Sequence, residues 1–186
     1  AADSGHLFVV DQYGDGIVIL GPDGSFQGRQ GTMGVREGFL HTTPGASVDF
    51  SFVAQRMAEL ADLDLRCVAF DRWRIDYLVK DLTTIGLPYT VLQAIKPESL
   101  PEGLVLVPHG QGFKDMPPAL DGLESELLNG RIRHGGHPVL TWCAANAVAE
   151  RNAAGERKLE KAKSTGRIDG LVALAMAMRV ACGRIT

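Results

Sequence analysis

Hydrophobic positions follow one spacing in the first third of this chain and another beyond residue 48. His6 to Val10 and Gly16 to Leu20 are short apolar, β-branched runs, and Pro22-Asp23-Gly24 is turn chemistry leading into Ser25 to Arg29. Runs of this kind predict two or three antiparallel strands. Gly28 to Gly45 shows no clear period and reads as loop, with room for a short strand or a helical turn. From Val48 to Asp62 the spacing changes, and Phe52, Val53, Met57, Leu60 and Ala61 fall on one helical face. Arg66 to Asp71 is a short apolar run that ends on a carboxylate, the pattern of a buried strand. A helix over Ile75 to Ile85, closed by Gly86, and a strand over Tyr89 to Gln93 complete a strand, helix, strand series at the spacing of a parallel crossover.

No element is assigned between Gln93 and Pro117. Pro117 to Leu128 predicts a helix with an early proline and a closing Asn129-Gly130, followed by a brief strand at Arg131 to Arg133. Pro138 to Ala149 predicts another helix. Asn152-Ala153-Ala154-Gly155, set in the polar stretch Arg151 to Lys161, suggests a hairpin projecting from the body. Ile168 to Ala181, rich in Leu, Ala, Met and Val, predicts a mostly buried helix.

At 186 residues, 45% hydrophobic and 22% charged, the chain has the length and composition of one compact domain over residues 1–186. It contains no apolar run near the ~20 residues that span a bilayer, and no signal-peptide layout at its start. A cytoplasmic protein without membrane contact is expected. Cys67, Cys143 and Cys182 are odd in number, widely spaced and outside any C-x-x-C pair, which argues against a disulfide framework or zinc knuckle and for buried thiols.

The net charge of −3 divides unevenly. Arg131, Arg133, Arg151, Arg157, Lys158, Lys161, Lys163 and Arg167 face only Glu150, Glu156 and Glu160 within residues 131–167, a local balance of +5 that leaves −8 for the rest. An acidic body with one basic segment suits a protein that meets a polyanion on one face and holds cations on another; a solvated charged loop has the same composition.

Two carboxylates stand where stability alone rarely places them. Asp71 ends an apolar strand, and Asp169 lies between Ile168 and the apolar run from Leu171 to Leu174. Strand carboxyl ends in open α/β sheets point into the crevice that binds ligands. Carboxylates that converge there repel one another unless a cation or proton lies between them, and an all-oxygen set without His or Cys clusters suits magnesium or manganese. Asp169 equally fits a helix N-terminus, and Asp71 a cap of the helix that follows.

Several phrases then occur in a recognisable order. They are Glu37-Gly38-Phe39-Leu40-His41-Thr42-Thr43-Pro44-Gly45, Val68-Ala69-Phe70-Asp71-Arg72-Trp73, the run from Asn129 through His134 and Pro138 to Trp142, Asn146, and the run from Lys161 through Gly166 to Gly170. Over residues 36 to 180 this set resembles the nuclease half of phage terminase large subunits, the DNA-packaging family of long-tailed phages and prophages. The resemblance implies an α/β fold of the ribonuclease H-like kind, a mixed central sheet flanked by helices. It also implies an Mg- or Mn-dependent endonuclease acting on double-stranded DNA, with Asp71 and Asp169 binding the catalytic metals.

The family's opening Asp-Leu-Ser is absent. Asp11, closing the run Leu7 to Val10, is one choice for the first-strand acid; Asp15 is another, and an acid upstream of residue 1 a third. With Asp11, the three carboxylates would hold two ions for phosphodiester hydrolysis. Lys163 and Arg167, just ahead of Asp169, are placed to meet the scissile phosphate. Arg151, Arg157, Lys158 and Lys161 would track the duplex backbone, with Arg131 and Arg133 in the same basic segment. His134 and His137 read as scaffold of a glycine-rich turn, with contact to a phosphate as the alternative, Trp142 as core, and Asn146 as a packing or loop-anchoring amide.

The family couples this nuclease to an ATPase and works with a small terminase subunit and a portal in the host cytoplasm. No G-x-x-x-x-G-K-[ST] phosphate loop occurs here, so a nuclease domain apart from its motor, or a partial product, is expected. Two other readings stay open: a DNA-gripping or motor-coupling module without useful catalysis, and a junction resolvase on the same fold.

Overall fold

The structure is a computed structural model that describes residues 49–61, 65, 67–72, 75–93, 101–132 and 137–181, together with the backbone of three strands at 7–11, 16–20 and 26–28. The side chain of Asp11, and Asp15, Arg133, His134, Cys182 and the loop expected over 29–45, lie outside the described residues.

Strands β1 (Leu7–Asp11), β2 (Gly16–Leu20) and β3 (Phe26–Gly28) pair antiparallel in succession, as their apolar, β-branched runs and the turn chemistry between them predict. Helix α1 (Phe50–Ala61) leads to β4 (Cys67–Asp71), α2 (Ile75–Thr84) and β5 (Tyr89–Val91), the predicted crossover unit. Gly86, at φ +74°, closes α2 in the left-handed conformation that glycine adopts without a Cβ clash. A sixth strand, β6 (Leu104–His109), lies between β4 and β5, so the sheet runs β3-β2-β1-β4-β6-β5, with β1, β4, β6 and β5 parallel.

Strand β6 is the element that the hydrophobic pattern leaves unassigned. A strand covered on both faces reads as a continuous apolar run, here Leu104 to Val107, and so has no alternation to detect. Pro108 also argues against an interior strand. It is tolerated beside the last residue, where it sits opposite Phe70 of β4.

The chain continues through α3 (Met116–Leu128), α4 (Pro138–Asn146), a small antiparallel hairpin of β7 (Ala149–Arg151) and β8 (Arg157–Leu159), and α5 (Asp169–Ala181). Around α4 the boundaries differ from expectation. Arg131 and Ile132 are irregular and not strand, α4 stops at Asn146, and Ala149 already belongs to the hairpin. The hairpin lies along α3 and does not stand clear of the body, because Arg157 forms ion pairs with Asp121 and Glu124, both at 2.6 Å.

Apolar side chains cover both faces of the sheet. Val68, Phe70, Leu104 and Leu106 meet α1 and α2 on one side. Ala69, Val105 and Val107 meet α3 and α5 on the other, with Ile168 and Val172. Each fully buried side chain of Val, Leu or Phe size contributes roughly 1.5–3 kcal/mol, so β4 and β6 reach their carboxyl ends from a well-buried core. Among the described residues no helix is long and apolar enough to cross a membrane.

Candidate metal centre

The carboxyl ends of the parallel strands bring chemistry to one edge. Asp71, the last residue of β4, is in register with His109, the last residue of β6. The parallel register of β1 and β4 reaches Val10 opposite Phe70, and the next step along both backbones is Asp11 and Asp71. Strand side chains alternate between faces. Phe70 packs toward α1 and α2, and Ala69 toward α3 and α5, so Asp71 faces α3 and α5.

Asp169 lies on that same side as the first residue of α5, which packs against β1, β2 and β4. Its residue is 3% exposed, and its Oδ1 lies 2.9 Å from Nζ of Lys161. A buried carboxylate without an opposite charge is strongly unfavourable, and the helix N-terminus adds a modest attraction. The Asp169 site therefore already contains a positive charge, one that a divalent cation could take over.

The loop ahead of Asp169 is fixed from α4. The Asn146 side chain accepts a hydrogen bond from Thr165 Oγ1 at 3.1 Å, and its carbonyl accepts one from the Thr165 N–H at 3.3 Å. Gly166 passes so close that a β-carbon there would lie 2.7 Å from Asn146 Nδ2 and 3.2 Å from the Trp142 ring. Asn146 thus anchors the loop, as the sequence suggests, and half-buried Trp142 packs with Val139 and Cys143. Cys143 is buried and Cys67 half-buried, both as thiols.

Asp71 is held differently. Nε2 of Gln111, in the loop between β6 and α3, donates to Asp71 Oδ2 at 2.7 Å. The hydrophobic pattern marks neither His109, at the end of β6, nor Gln111, in the loop after it; the apolar run Leu104 to Val107 leading into His109-Gly110-Gln111-Gly112 is the signal that points to them. His109 is 4% exposed, its Nδ1 donates to the Gly110 carbonyl at 2.7 Å, and burial holds its pKa below the ordinary value. Burial likewise takes His137 down to about 4. Among the described residues no three His, Cys, Asp or Glu side chains gather closely enough to hold an ion. The backbone of Asp11 is level with Asp71 on this edge.

Much of the basic segment is engaged in ion pairs, some within the segment and some with α3 and Asp169. Lys158 meets Glu160 at 2.6 Å and Glu150 at 3.1 Å, and it lies over the Phe113 ring, 5.2 Å from the centroid. Lys163 meets Glu150 at 2.6 Å. These two lysines, Lys163 foremost, hold the Glu150 carboxyl down to about 2. Arg131 grips Glu126 through two bonds of 2.6 Å. Arg151 is exposed and donates to the Gly155 carbonyl within its own turn, and Arg167 is exposed. Lys161 is thus in contact with Asp169, while Lys163 turns toward the hairpin.

The sequence profile of the family described as terminase large subunit, endonuclease domain, matches residues 29–183. The terminase large subunit of Enterobacteria phage HK97 is 58% identical over 153 residues, which cover 82% of this chain and 27% of that protein. The crystal structure of the HK97 large terminase superposes with a TM-score of 0.74 at 46% identity, over 94% of this chain and 38% of that one. The large terminase nuclease of thermophilic phage G20c with bound magnesium shares the fold, at 15% identity and a TM-score of 0.58 over 96% of this chain and 82% of that one. This chain spans about a quarter of the length of the HK97 protein.

Proposed function

Because the chain belongs to the endonuclease-domain family of terminase large subunits, we propose that it hydrolyses phosphodiester bonds of double-stranded DNA with divalent cations held by Asp71, Asp169 and Asp11. The observation that carries this reading is the placing of Asp71 and the buried Asp169 on one face of the sheet, with a lysine supplying the positive charge beside Asp169. The donors are carboxylate oxygens, which suit hard cations such as magnesium or manganese. Magnesium bound to the G20c nuclease, which has the same fold, points the same way.

Two such ions, when bound, would lower the pKa of the attacking water and neutralise charge on the leaving oxygen. The chain's own part is positional. Asp71 is fixed at the end of a buried strand, and Asp169 by the first turn of α5. Lys161 supplies a positive charge beside the buried Asp169 carboxylate, a cation that would also suit a phosphate approaching this edge. Arg151 and Arg167 are exposed to approach the duplex backbone, with attraction that is independent of sequence and weakens with salt. The proposed working context is that of the family: one nuclease domain beside an ATPase domain, with a small terminase subunit, a portal and phage DNA in the host cytoplasm.

Plasmid cleavage in manganese tests this. Asp71→Asn, Asp169→Asn and Asp11→Asn are each expected to cut about 100-fold or more slowly than the parent, since each removes several kcal/mol of transition-state stabilisation. Equal cutting by Asp71→Asn and Asp169→Asn would overturn the proposal. A parent that binds manganese at one weak site by calorimetry and cuts nothing would instead identify a DNA-gripping module.

A further inference from the structure

Among the contacts described, Asp169 meets a lysine and Asp71 a neutral amide, and the difference bears on what happens when a cation arrives. Lys161 carries a positive charge, so it competes with a metal ion for Asp169 and is repelled once the ion is bound. Gln111 is neutral. Its amide N–H on Asp71 Oδ2, at 2.7 Å, has no charge to expel and remains compatible with an ion on the same carboxylate.

The loop that carries Gln111 is held at both ends. At its start, His109 donates to the Gly110 carbonyl. At its end, Asp115 forms an ion pair with Arg72, the residue after Asp71, at 2.7 Å. That pair lies directly over Gly110, where a β-carbon would collide with the Asp115 carboxylate and come within 3.2 Å of the Arg72 guanidinium. Backbone bonds from Asp115 and Met116 to the Gly112 carbonyl, at 3.2 and 3.0 Å, turn the loop into α3. Gln111 is thus brought to Asp71 across 40 residues of sequence by a segment tied to the same strand end.

We propose that Gln111 is a positioning residue for metal binding: its amide sets the rotation of the Asp71 carboxylate and so tunes the affinity of this edge for a divalent cation. The inference rests on the metal-dependent reading above and goes beyond it by assigning a residue that contacts no ion. Groups that orient a metal ligand from behind change affinity or activity by about 10–100-fold when removed.

Calorimetric titration of the 186-residue chain with manganese tests it, with thermal unfolding in EDTA as the second readout. Gln111→Ala and Gln111→Leu are expected to raise the manganese Kd about 10–100-fold while the EDTA melting temperature stays within a few degrees of the parent. A role in folding alone would lower the melting temperature and leave Kd unchanged. Manganese Kd values within about twofold of the parent, alongside clear loss of binding in Asp71→Asn, would overturn the assignment of Gln111 and leave the proposed function standing. Loss of cooperative unfolding in both Gln111 variants would overturn it as well. Absence of manganese binding by the parent, or unchanged binding by Asp71→Asn, would remove the metal-dependent reading and this inference together.

Discussion

Lys161 Nζ lies 2.9 Å from Oδ1 of Asp169, a residue only 3% exposed, so the carboxylate proposed to bind metal is neutralised in advance by the chain itself. Breaking a fully buried ion pair costs about 3–5 kcal/mol. The Lys161 side chain is 28% exposed, and solvent reaching it reduces that figure. Lys161→Met is expected to lower stability by about 1–3 kcal/mol in EDTA, read from urea unfolding. Manganese should restore more stability to this variant than it adds to the parent, because the ion replaces the lost charge. An unchanged urea midpoint in EDTA would show that the pair contributes nothing.

Arg157 and Arg151 belong to the same hairpin and are expected to behave in opposite ways. Arg157 is engaged by Asp121 and Glu124 of α3, which raise its pKa further and commit it to holding the hairpin down. Arg151 is exposed, and its guanidinium donates to a carbonyl of its own turn. Arg151→Ala should reduce the slope of log affinity against log salt for duplex DNA by roughly one unit. Arg157→Ala should leave that slope closer to the parent and increase amide hydrogen exchange in β7 and β8. Equal changes of slope in the two variants would contradict this division of labour.

His137 gives the fold an acid-sensitive component. Burial lowers its pKa from 6.5 to about 4, so protonation favours the unfolded chain, in which the imidazole is solvated. Its contribution is complete above about pH 6.5 and is lost progressively as pH falls toward 4. His109 shifts in the same direction for the same leading reason. Urea midpoints at pH 7.5 and 5 in EDTA should therefore fall with acid, and less steeply for His137→Gln than for the parent. A variant with the parent's pH dependence would show that His137 is solvated in the folded chain.

Most of the fold was legible because its elements have local signatures. The β-branched runs at Leu7–Asp11 and Gly16–Leu20, the amphipathic spacing of Phe50–Ala61 and the proline-led Pro138–Asn146 all form near their expected places. Strand β6 escaped because burial on both faces erases alternation and Pro108 counts against a strand. With it went His109 and Gln111. Asp11, the proposed third acid, is described only as far as its backbone, where the register of β1 and β4 sets it level with Asp71.

The order of residues along the chain determined by itself the strand that ends on Asp71, the helix that opens on Asp169 and the family to which both belong. Motif order and hydrophobic period depend on neighbours in sequence, and those are complete in one dimension. Only the tertiary structure decided which side chains serve these acids: Gln111 from 40 residues away for Asp71, and Lys161 in preference to the nearer Lys163 for Asp169. Long polar side chains reach several alternatives at similar local cost, and the choice among them is made by how loops are tied across the packed layers.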